Sequence, residues 1–257
     1  MRFGCCTTIE NAPLVAEAGY DFIELGVFRD LRPETPDEEW APVRAAIEAM
    51  PLRPAAFNVM LPGDLKITGP DVDAERVQRY VNVAFQRAAA LGGEVIVFGS
   101  GGARAVPEGF PREQAWEQLI QFARWAGDAA QAVGMQVAIE PLNRGETNII
   151  NSVTEALELA KAVQHPAVKV LADLYHVVVE DEPIDHLQDA RGWLAHVHVA
   201  DTGRRYPGSG SYPYPNFFGA LKAIGYDLRI SVECRWEDFA TECRAALQFL
   251  HEAWTRA

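Results

Sequence analysis

Four apolar stretches in the second half of the chain end in side chains that can bind a metal ion or move a proton. These side chains are Glu140, Asp173, His198 and Glu233. Three carboxylates and one imidazole that lie close together cannot all keep their charges without a cation, so the pattern predicts a divalent metal site. Hard oxygen ligands with one imidazole suit Mn²⁺, Mg²⁺ or Co²⁺ better than a structural zinc ion, which favours cysteine and histidine.

The alternation of side chains along these stretches predicts which way the four residues face. In "LAHVHVA" (194–200), Val197 and Val199 lie on one face of the strand, and His196 and His198 lie on the other. Side chains of a strand point alternately to its two sides. We therefore expect the branched apolar residues to face surrounding helices and the polar residues to face the axis of a barrel, where they would converge.

Eight short apolar runs alternate with longer segments of helical period along the whole sequence. The predicted strands cover residues 2–7, 21–27, 53–59, 94–100, 136–142, 168–174, 194–200 and 229–235. Helical segments such as "DAERVQRYVNVAFQRAAAL" and "REQAWEQLIQFARWAGDAAQAV" separate them. Eight strand and helix pairs favour one α/β domain over residues 1–257, a (β/α)8 TIM barrel, although the count alone leaves an open doubly wound sheet as an alternative.

Composition and charge exclude several classes of function. The chain has 257 residues and a formal net charge of −13, which disfavours binding to nucleic acid or to anionic lipid. Its four cysteines include no CxxC pair, so we expect reduced thiols rather than disulfides. No apolar leader or membrane-length apolar stretch is evident, and we expect a soluble, cytoplasmic protein.

The motifs around the four residues resemble those of a known enzyme family. "ExxNRxE" (140–146), "DxxH" (173–176), "HVHVAD" (196–201) followed by "GRRYPGSG" (203–210), and "SVE" (231–233) are similar to the xylose isomerase-like barrels called sugar phosphate isomerases/epimerases. Within that family, the sequence most resembles the ketose 3-epimerases of the tagatose/psicose 3-epimerase type. A hydroxypyruvate isomerase-like protein has the same general layout.

The resemblance implies a set of functional residues. It implies one divalent metal ion, with Mn²⁺ first and Mg²⁺ or Co²⁺ as alternatives, held by the four residues named above. Glu140 and Glu233 would also act as the acid/base pair. Glu146, His176 and Arg204 would contact substrate oxygens. The substrate would be a small sugar or hydroxy-ketone, and self-association through the outer helices is compatible with such barrels.

Further polar residues are candidates for the same site. Glu24 and Asn58 end the second and third predicted strands, where each could reach a substrate or form a structural contact. Asp201 could accept a hydrogen bond from a ligand imidazole and so orient it. The glycine-rich "FGSGGAR" (98–104) lacks the lysine of a phosphate-binding loop and indicates close backbone approach at the barrel mouth instead.

Several functions remain open on this evidence. The favoured one is a metal-dependent isomerase or epimerase that moves a proton next to a carbonyl through an enediolate. An aldose–ketose isomerase and a lyase or dehydratase on the same fold are the enzyme alternatives, and a sugar-binding protein without activity is the non-enzyme alternative. A DNA-repair endonuclease is disfavoured because its groove should be basic and its metal cluster richer in histidine, whereas this chain is acidic with six histidines.

Overall fold

A computed structural model describes all 257 residues and has eight parallel strands that close into a barrel in the order in which they occur in the chain. The strands are β1 Arg2–Cys6, β2 Phe22–Gly26, β3 Pro54–Asn58, β4 Val95–Phe98, β5 Gln136–Ile139, β6 Val168–Asp173, β7 Leu194–Val199 and β8 Arg229–Val232. β1 pairs with β8 as well as with β2, which closes the sheet. The predicted α/β class and (β/α)8 TIM barrel are confirmed.

Helices follow every strand and cover the outside of the barrel. They are α1 Ala12–Ala18, α2 Asp37–Glu48, α3 Ala74–Ala90, α4 Gly101–Arg104, α5 Arg112–Ala132, α6 Val153–Val163, α7 Leu174–Val179, α8 Tyr214–Ala223 and α9 Phe239–Arg256. α6 begins with a capping box, in which the Ser152 side chain accepts a hydrogen bond from the Glu155 N–H and the Glu155 carboxylate accepts one from the Asn151 N–H. No helix is both long enough and apolar enough to cross a bilayer.

The core has two layers that match the alternation predicted from the strands. A large cluster between strands and helices contains the branched residues of the later strands, such as Val197, Val199 and Ile230. A smaller cluster fills the inside of the barrel and contains Phe22 and Leu171. Burial of this apolar surface is the main stabilising contribution, at about 25 cal/mol per Å² removed from water.

The inner layer is fitted closely enough to fix one residue type on β1. Phe22 on β2 points inward against Gly4, and a Cβ atom at Gly4 would lie 2.2 Å from the Phe22 ring. Only glycine leaves room for this ring. The ring in turn packs near His196, with a centroid distance of 6.4 Å. Phe22 therefore packs inside the barrel, next to the inward-facing polar residues of β7.

Candidate active site

The four strand-end residues meet at the C-terminal mouth of the barrel. Each of Glu140, Asp173, His198 and Glu233 offers a ligand atom, and these atoms all lie within 4.8 Å of one another. Asp173 pairs in register with His198 on β7, while the two glutamates directly follow β5 and β8. The structure thus brings together the residues that the sequence singled out, in the place where barrels of this class hold their active sites.

The backbone fixes the two glutamates although both lie just beyond their strands. The N–H of Glu140 donates to the Phe98 carbonyl at 3.0 Å, and the N–H of Glu233 donates to the Val199 carbonyl at 3.0 Å. Each bond continues the parallel ladder by one residue. The two carboxylates are therefore held by the sheet rather than by a mobile loop.

The glycine-rich segment after β4 makes room for Glu140. A Cβ atom at Gly99 would lie 2.2 Å from Oε2 of Glu140, so any other residue would displace this carboxylate. The buried Arg104 guanidinium donates to the Glu140 carbonyl at 2.8 Å. The prediction of close backbone approach in this segment is confirmed.

The three carboxylates of the cluster are buried or half-buried and repel one another, which makes it unfavourable for all of them to be ionised without a cation. Burial, followed by the charges of Glu140 and Glu233, raises the pKa of Asp173 to about 7. Burial also raises the pKa of Glu140. Oδ2 of Asp173 is buried and has no hydrogen-bond partner, which is costly for a carboxylate oxygen. A divalent cation would remove both costs, and three carboxylates with one imidazole fit such an ion.

His198 lies between two groups of carboxylates, one on each side of its ring. Nε2 contacts Oε1 of Glu24 at 2.9 Å, on the inner side of the barrel. Nδ1 faces the mouth, 3.0 Å from Oε1 of Glu140 and 3.6 Å from Oε2 of Glu233. Burial lowers the pKa of His198, but the surrounding anionic groups, Glu24 first, outweigh it and hold that pKa well above its ordinary value.

Glu24 is a fully buried carboxylate that contacts two histidines. Its Oε2 lies 2.8 Å from Nε2 of His196, and its Oε1 meets His198. Burial alone would raise the pKa of Glu24, but His198 and His196 hold it well below its ordinary value. The sequence allowed Glu24 either to reach a substrate or to form a structural contact, and the structure shows the contact, with these two imidazoles.

The prediction that Asp201 orients a ligand imidazole is wrong. Its carboxylate accepts hydrogen bonds from the backbone N–H groups of Thr202, Gly208 and Tyr212, and so holds the loop after β7. Asp201 lies beyond the end of β7, and none of its hydrogen bonds is to His198. The carboxylate that meets the ring comes from β2, on another part of the barrel wall.

The residues predicted to contact substrate lie beside the four-residue cluster. Their side chains contact one another or one of the four residues. Arg204 donates to Oε2 of Glu233 at 2.7 Å and to Oε1 of Glu146 at 2.9 Å. Its guanidinium lies 4.8 Å from the centre of the Tyr175 ring, a cation–π contact. Asn58 donates to the other oxygen of Glu233 at 3.2 Å. Glu233 is thus held from both sides.

His176 presents a free ring nitrogen beside Asp173. Its Nδ1 accepts from the backbone N–H of Asn143 at 3.0 Å, so the proton of the neutral ring is on Nε2. Nε2 is buried, has no hydrogen-bond partner and lies 3.6 Å from Oδ2 of Asp173. Burial, with a contribution from Arg204, lowers the pKa of His176 to about 3, so the ring is a neutral donor. The sequence did not indicate the role of Asn143.

The protein-family model described as "Xylose isomerase-like TIM barrel" matches residues 12–253 of this chain. The L-ribulose 3-epimerase of Methylomonas sp. (strain DH-1) is 30% identical over 227 residues, which cover 85% of this chain and 75% of that protein.

Shorter alignments connect the chain to two further epimerases. The D-psicose 3-epimerase of Ruminiclostridium cellulolyticum is 33% identical over 119 residues, or 46% of this chain and 41% of the relative. The ketose 3-epimerase of Arthrobacter globiformis is 35% identical over 101 residues, or 39% and 35%. In these two alignments, the chain spans less than half the length of the relative.

Solved structures share the fold over nearly the whole chain. The D-psicose 3-epimerase of Clostridium cellulolyticum H10, solved with D-tagatose, superposes with a TM-score of 0.85 and 22% identity over 99% of both chains. The 3-keto-D-glucoside 4-epimerase of E. coli gives a TM-score of 0.82 and 24% identity, covering 98% of this chain and 99% of that one. At these identities, the likeness extends to the fold.

Proposed function

The chain belongs to the xylose isomerase-like TIM barrel family, as its motifs indicated, and from this premise we propose that it is a divalent-metal-dependent epimerase of small ketoses. The observation that carries the proposal is the convergence of Glu140, Asp173, His198 and Glu233 within 4.8 Å at the barrel mouth. The relatives named as psicose, ketose and L-ribulose 3-epimerases support the reaction class.

We propose that these four residues hold one ion, with Mn²⁺ first and Mg²⁺ or Co²⁺ as alternatives. Oxygen-rich sites with one imidazole suit these ions. The chemistry that a bound divalent ion supplies is Lewis-acid stabilisation of the negative charge that develops on substrate oxygens. The remaining steps belong to side chains of the protein.

Glu140 and Glu233 are the proposed acid/base pair. One carboxylate removes the proton from the carbon next to the ketone, which leaves an enediolate, and the other returns a proton to the opposite face of the same carbon. This exchange inverts the carbon. The support is that the two glutamates follow β5 and β8, which are separated by two strands, yet both face Nδ1 of His198. Such a positioned group contributes about 10² to 10⁴-fold to a rate.

The neighbouring polar residues would bind and orient the sugar. The Nε2–H of His176 has no partner within the protein and would donate to a substrate oxygen. Arg204 is charged and would donate to a second oxygen, and Glu146 would accept from a hydroxyl. Arg204 bonds to Glu146 and Glu233, so a substrate that enters would exchange these contacts for its own.

Several predictions from the sequence stay predictions. They are the single domain over residues 1–257, a cytoplasmic location and self-association. The acidic net charge of −13 supports the expectation that no nucleic acid is bound.

The experiment that tests the proposal follows the reacting carbon directly. The Mn²⁺-loaded protein is incubated in D₂O with a panel of ketoses and small hydroxy-ketones, and the products are analysed by NMR and mass spectrometry. An epimerase incorporates one deuterium at the inverted carbon, with no other change in composition. Conversion between aldose and ketose would favour the isomerase, and loss of water would favour the lyase. Sugar binding without deuterium uptake from any ketose would contradict an enzymatic role.

A further inference from the structure

The buried carboxylate of Glu24 lies behind the proposed metal site and belongs to neither the ligands nor the acid/base pair. It is 0% exposed and lies on β2, where Glu24 pairs in register with Cys6 of β1. A carboxylate in this position costs several kcal/mol of desolvation unless charged or polar partners meet it. Its partners are the Nε2 atoms of His196 and His198, at 2.8 and 2.9 Å.

Glu24 has one oxygen for each imidazole. An ionised carboxylate only accepts hydrogen bonds, so both Nε2 atoms carry protons and donate to it. The second contact fixes the carboxylate, because Glu24 cannot rotate away from His198 without breaking its bond to His196. The two imidazole rings are nearly perpendicular, with an interplanar angle of 83° and centroids 4.9 Å apart.

The bond from Glu24 decides which nitrogen of His198 faces the mouth. An imidazole that binds an ion is neutral, and with its one proton on Nε2 the lone pair is on Nδ1, the atom that faces Glu140. The other tautomer would direct an N–H toward the site, and a flipped ring would direct a C–H there. Carboxylates that orient metal-bound histidines in this way typically change metal affinity 10 to 100-fold.

We propose that Glu24 is a positioning residue that fixes the tautomer and orientation of His198, so that Nδ1 is the nitrogen that binds the ion. This inference rests on the proposed function, because it requires a divalent ion among the four strand-end residues. Glu24 itself contacts neither the ion nor the substrate. His196 acts behind it by holding its second oxygen.

The first test measures metal binding rather than turnover. Mn²⁺ is titrated by calorimetry into the metal-stripped full-length protein, as wild type, E24Q and E94Q. Glutamine has one acceptor oxygen for two ring N–H groups, so one imidazole loses its partner and the Kd of E24Q for Mn²⁺ rises about 10 to 100-fold. Glu94 is a matched control because it bonds to Arg2 at the opposite end of the barrel, and E94Q keeps the wild-type Kd.

The second test reads the tautomer and needs no variant. Long-range ¹H–¹⁵N spectra of the Mg²⁺-loaded wild type report which ring nitrogen of His198 carries the proton. The proposal expects a protonated Nε2 and an unprotonated Nδ1. A protonated Nδ1 in the Mg²⁺-loaded protein would overturn the proposed role of Glu24. If E24Q does not fold, this NMR measurement on the wild type is the deciding test.

The outcomes separate this inference from the proposed function. If wild-type protein binds no Mn²⁺, the proposed metal site fails, and the role of Glu24 fails with it. If wild type binds Mn²⁺ and E24Q binds equally well, the role of Glu24 alone is refuted. Weakened binding by E24Q, with E94Q unchanged, supports both.

Discussion

The two ends of the barrel arrange their charged side chains in opposite ways. At the N-terminal end, the Glu94 carboxylate receives two hydrogen bonds from Arg2, at 2.8 and 2.7 Å, and also contacts Arg229. At the C-terminal end, Glu140, Asp173 and Glu233 gather around a single imidazole. The hydrogen bond from Arg2 lowers the pKa of Glu94, whereas burial raises that of Glu140 and that of Asp173.

The difference separates groups that stabilise the fold from groups available for chemistry. At the N-terminal end, the carboxylate of Glu94 is paired with arginine side chains of the protein itself. At the mouth, Oδ2 of Asp173 and Nε2 of His176 have no hydrogen-bond partner although both are buried. Unsatisfied buried polar atoms cost free energy, and two of them beside a cluster of carboxylates with raised pKa values are a mark of a binding site. Carboxylates at the two ends should therefore respond differently to the same substitution.

The largest expected effect is on turnover at the mouth. E140Q or E233Q removes one member of the proposed acid/base pair and should lower kcat at least about 10²-fold at saturating Mn²⁺. The measurement is the rate of deuterium uptake by the best ketose substrate. E94Q, the same change at the other end, should keep wild-type turnover. Wild-type rates in both mouth variants would refute the assigned roles.

Substitution of Asp173 should weaken metal binding while it stabilises the metal-free protein. D173N should weaken Mn²⁺ binding at least about 10-fold, measured by calorimetry, because an anionic ligand becomes neutral. The pKa of Asp173 is raised to about 7, so its ionised form is disfavoured in the metal-free fold, and at pH 8 D173N should melt about 2–4 °C higher without metal.

The amide of this variant can keep the local structure. Oδ1 of Asp173 accepts from the Tyr175 N–H at 2.8 Å, and an asparagine oxygen can do the same. If metal-free D173N melts well below the metal-free wild type, Asp173 stabilises the fold as Glu94 does, and the two ends of the barrel do not differ in this respect.

Removal of metal should lower the melting temperature only by emptying the proposed site at the barrel mouth. A ligand that binds only the folded state stabilises it by about 2.7 kcal/mol at a free concentration of 100 times its Kd. For a chain of this size, this corresponds to roughly 5–10 °C in melting temperature. Chelator should therefore lower the melting temperature of the Mn²⁺-loaded wild type, measured by calorimetry. When the Mn²⁺ concentration is below the Kd of D173N, chelator should change the melting temperature of D173N very little. An equal shift in wild type and D173N would show that the ion binds elsewhere.

The smallest expected effect concerns the N-terminal end. The pKa of Glu94 is lowered, so its ion pairs contribute stability above the ordinary glutamate value of 4.5 and lose that contribution as the pH falls through the lowered pKa. E94Q should cost about 1 kcal/mol at pH 7, because the carboxylate is partly exposed and screened. Urea unfolding at pH 7 and at pH 3 measures the difference, which should shrink at the lower pH. A constant difference would show that the loss is not electrostatic.

The sequence predicted the fold and the main cluster because both follow from local periodicity. Alternation along β7 predicted that His198 faces inward and Val199 outward, and the two core layers confirm it. Equivalent strand ends in a closed parallel barrel must meet at one mouth. This geometric rule brought Glu140 and Glu233 together although 93 positions separate them in the chain.

Pairings across the barrel could not be predicted in this way. Glu24 meets His198 from β2, 174 positions away, and no local pattern states which inward side chain of one strand touches which of another. Asp201 is close to His198 in the sequence, but its carboxylate caps the loop that follows it. The contact of Asn143 with His176 has no sequence signature, because it is made by a backbone N–H, which every residue type except proline offers.

Anomalous scattering from a crystal of this protein soaked in Mn²⁺ would locate the proposed ion. We expect one strong peak at the barrel mouth, about 2.0–2.6 Å from carboxylate oxygens of Glu140, Asp173 and Glu233, with Nδ1 of His198 as the nitrogen ligand. A data set with no anomalous peak among these four side chains, or with its peak elsewhere, would contradict it.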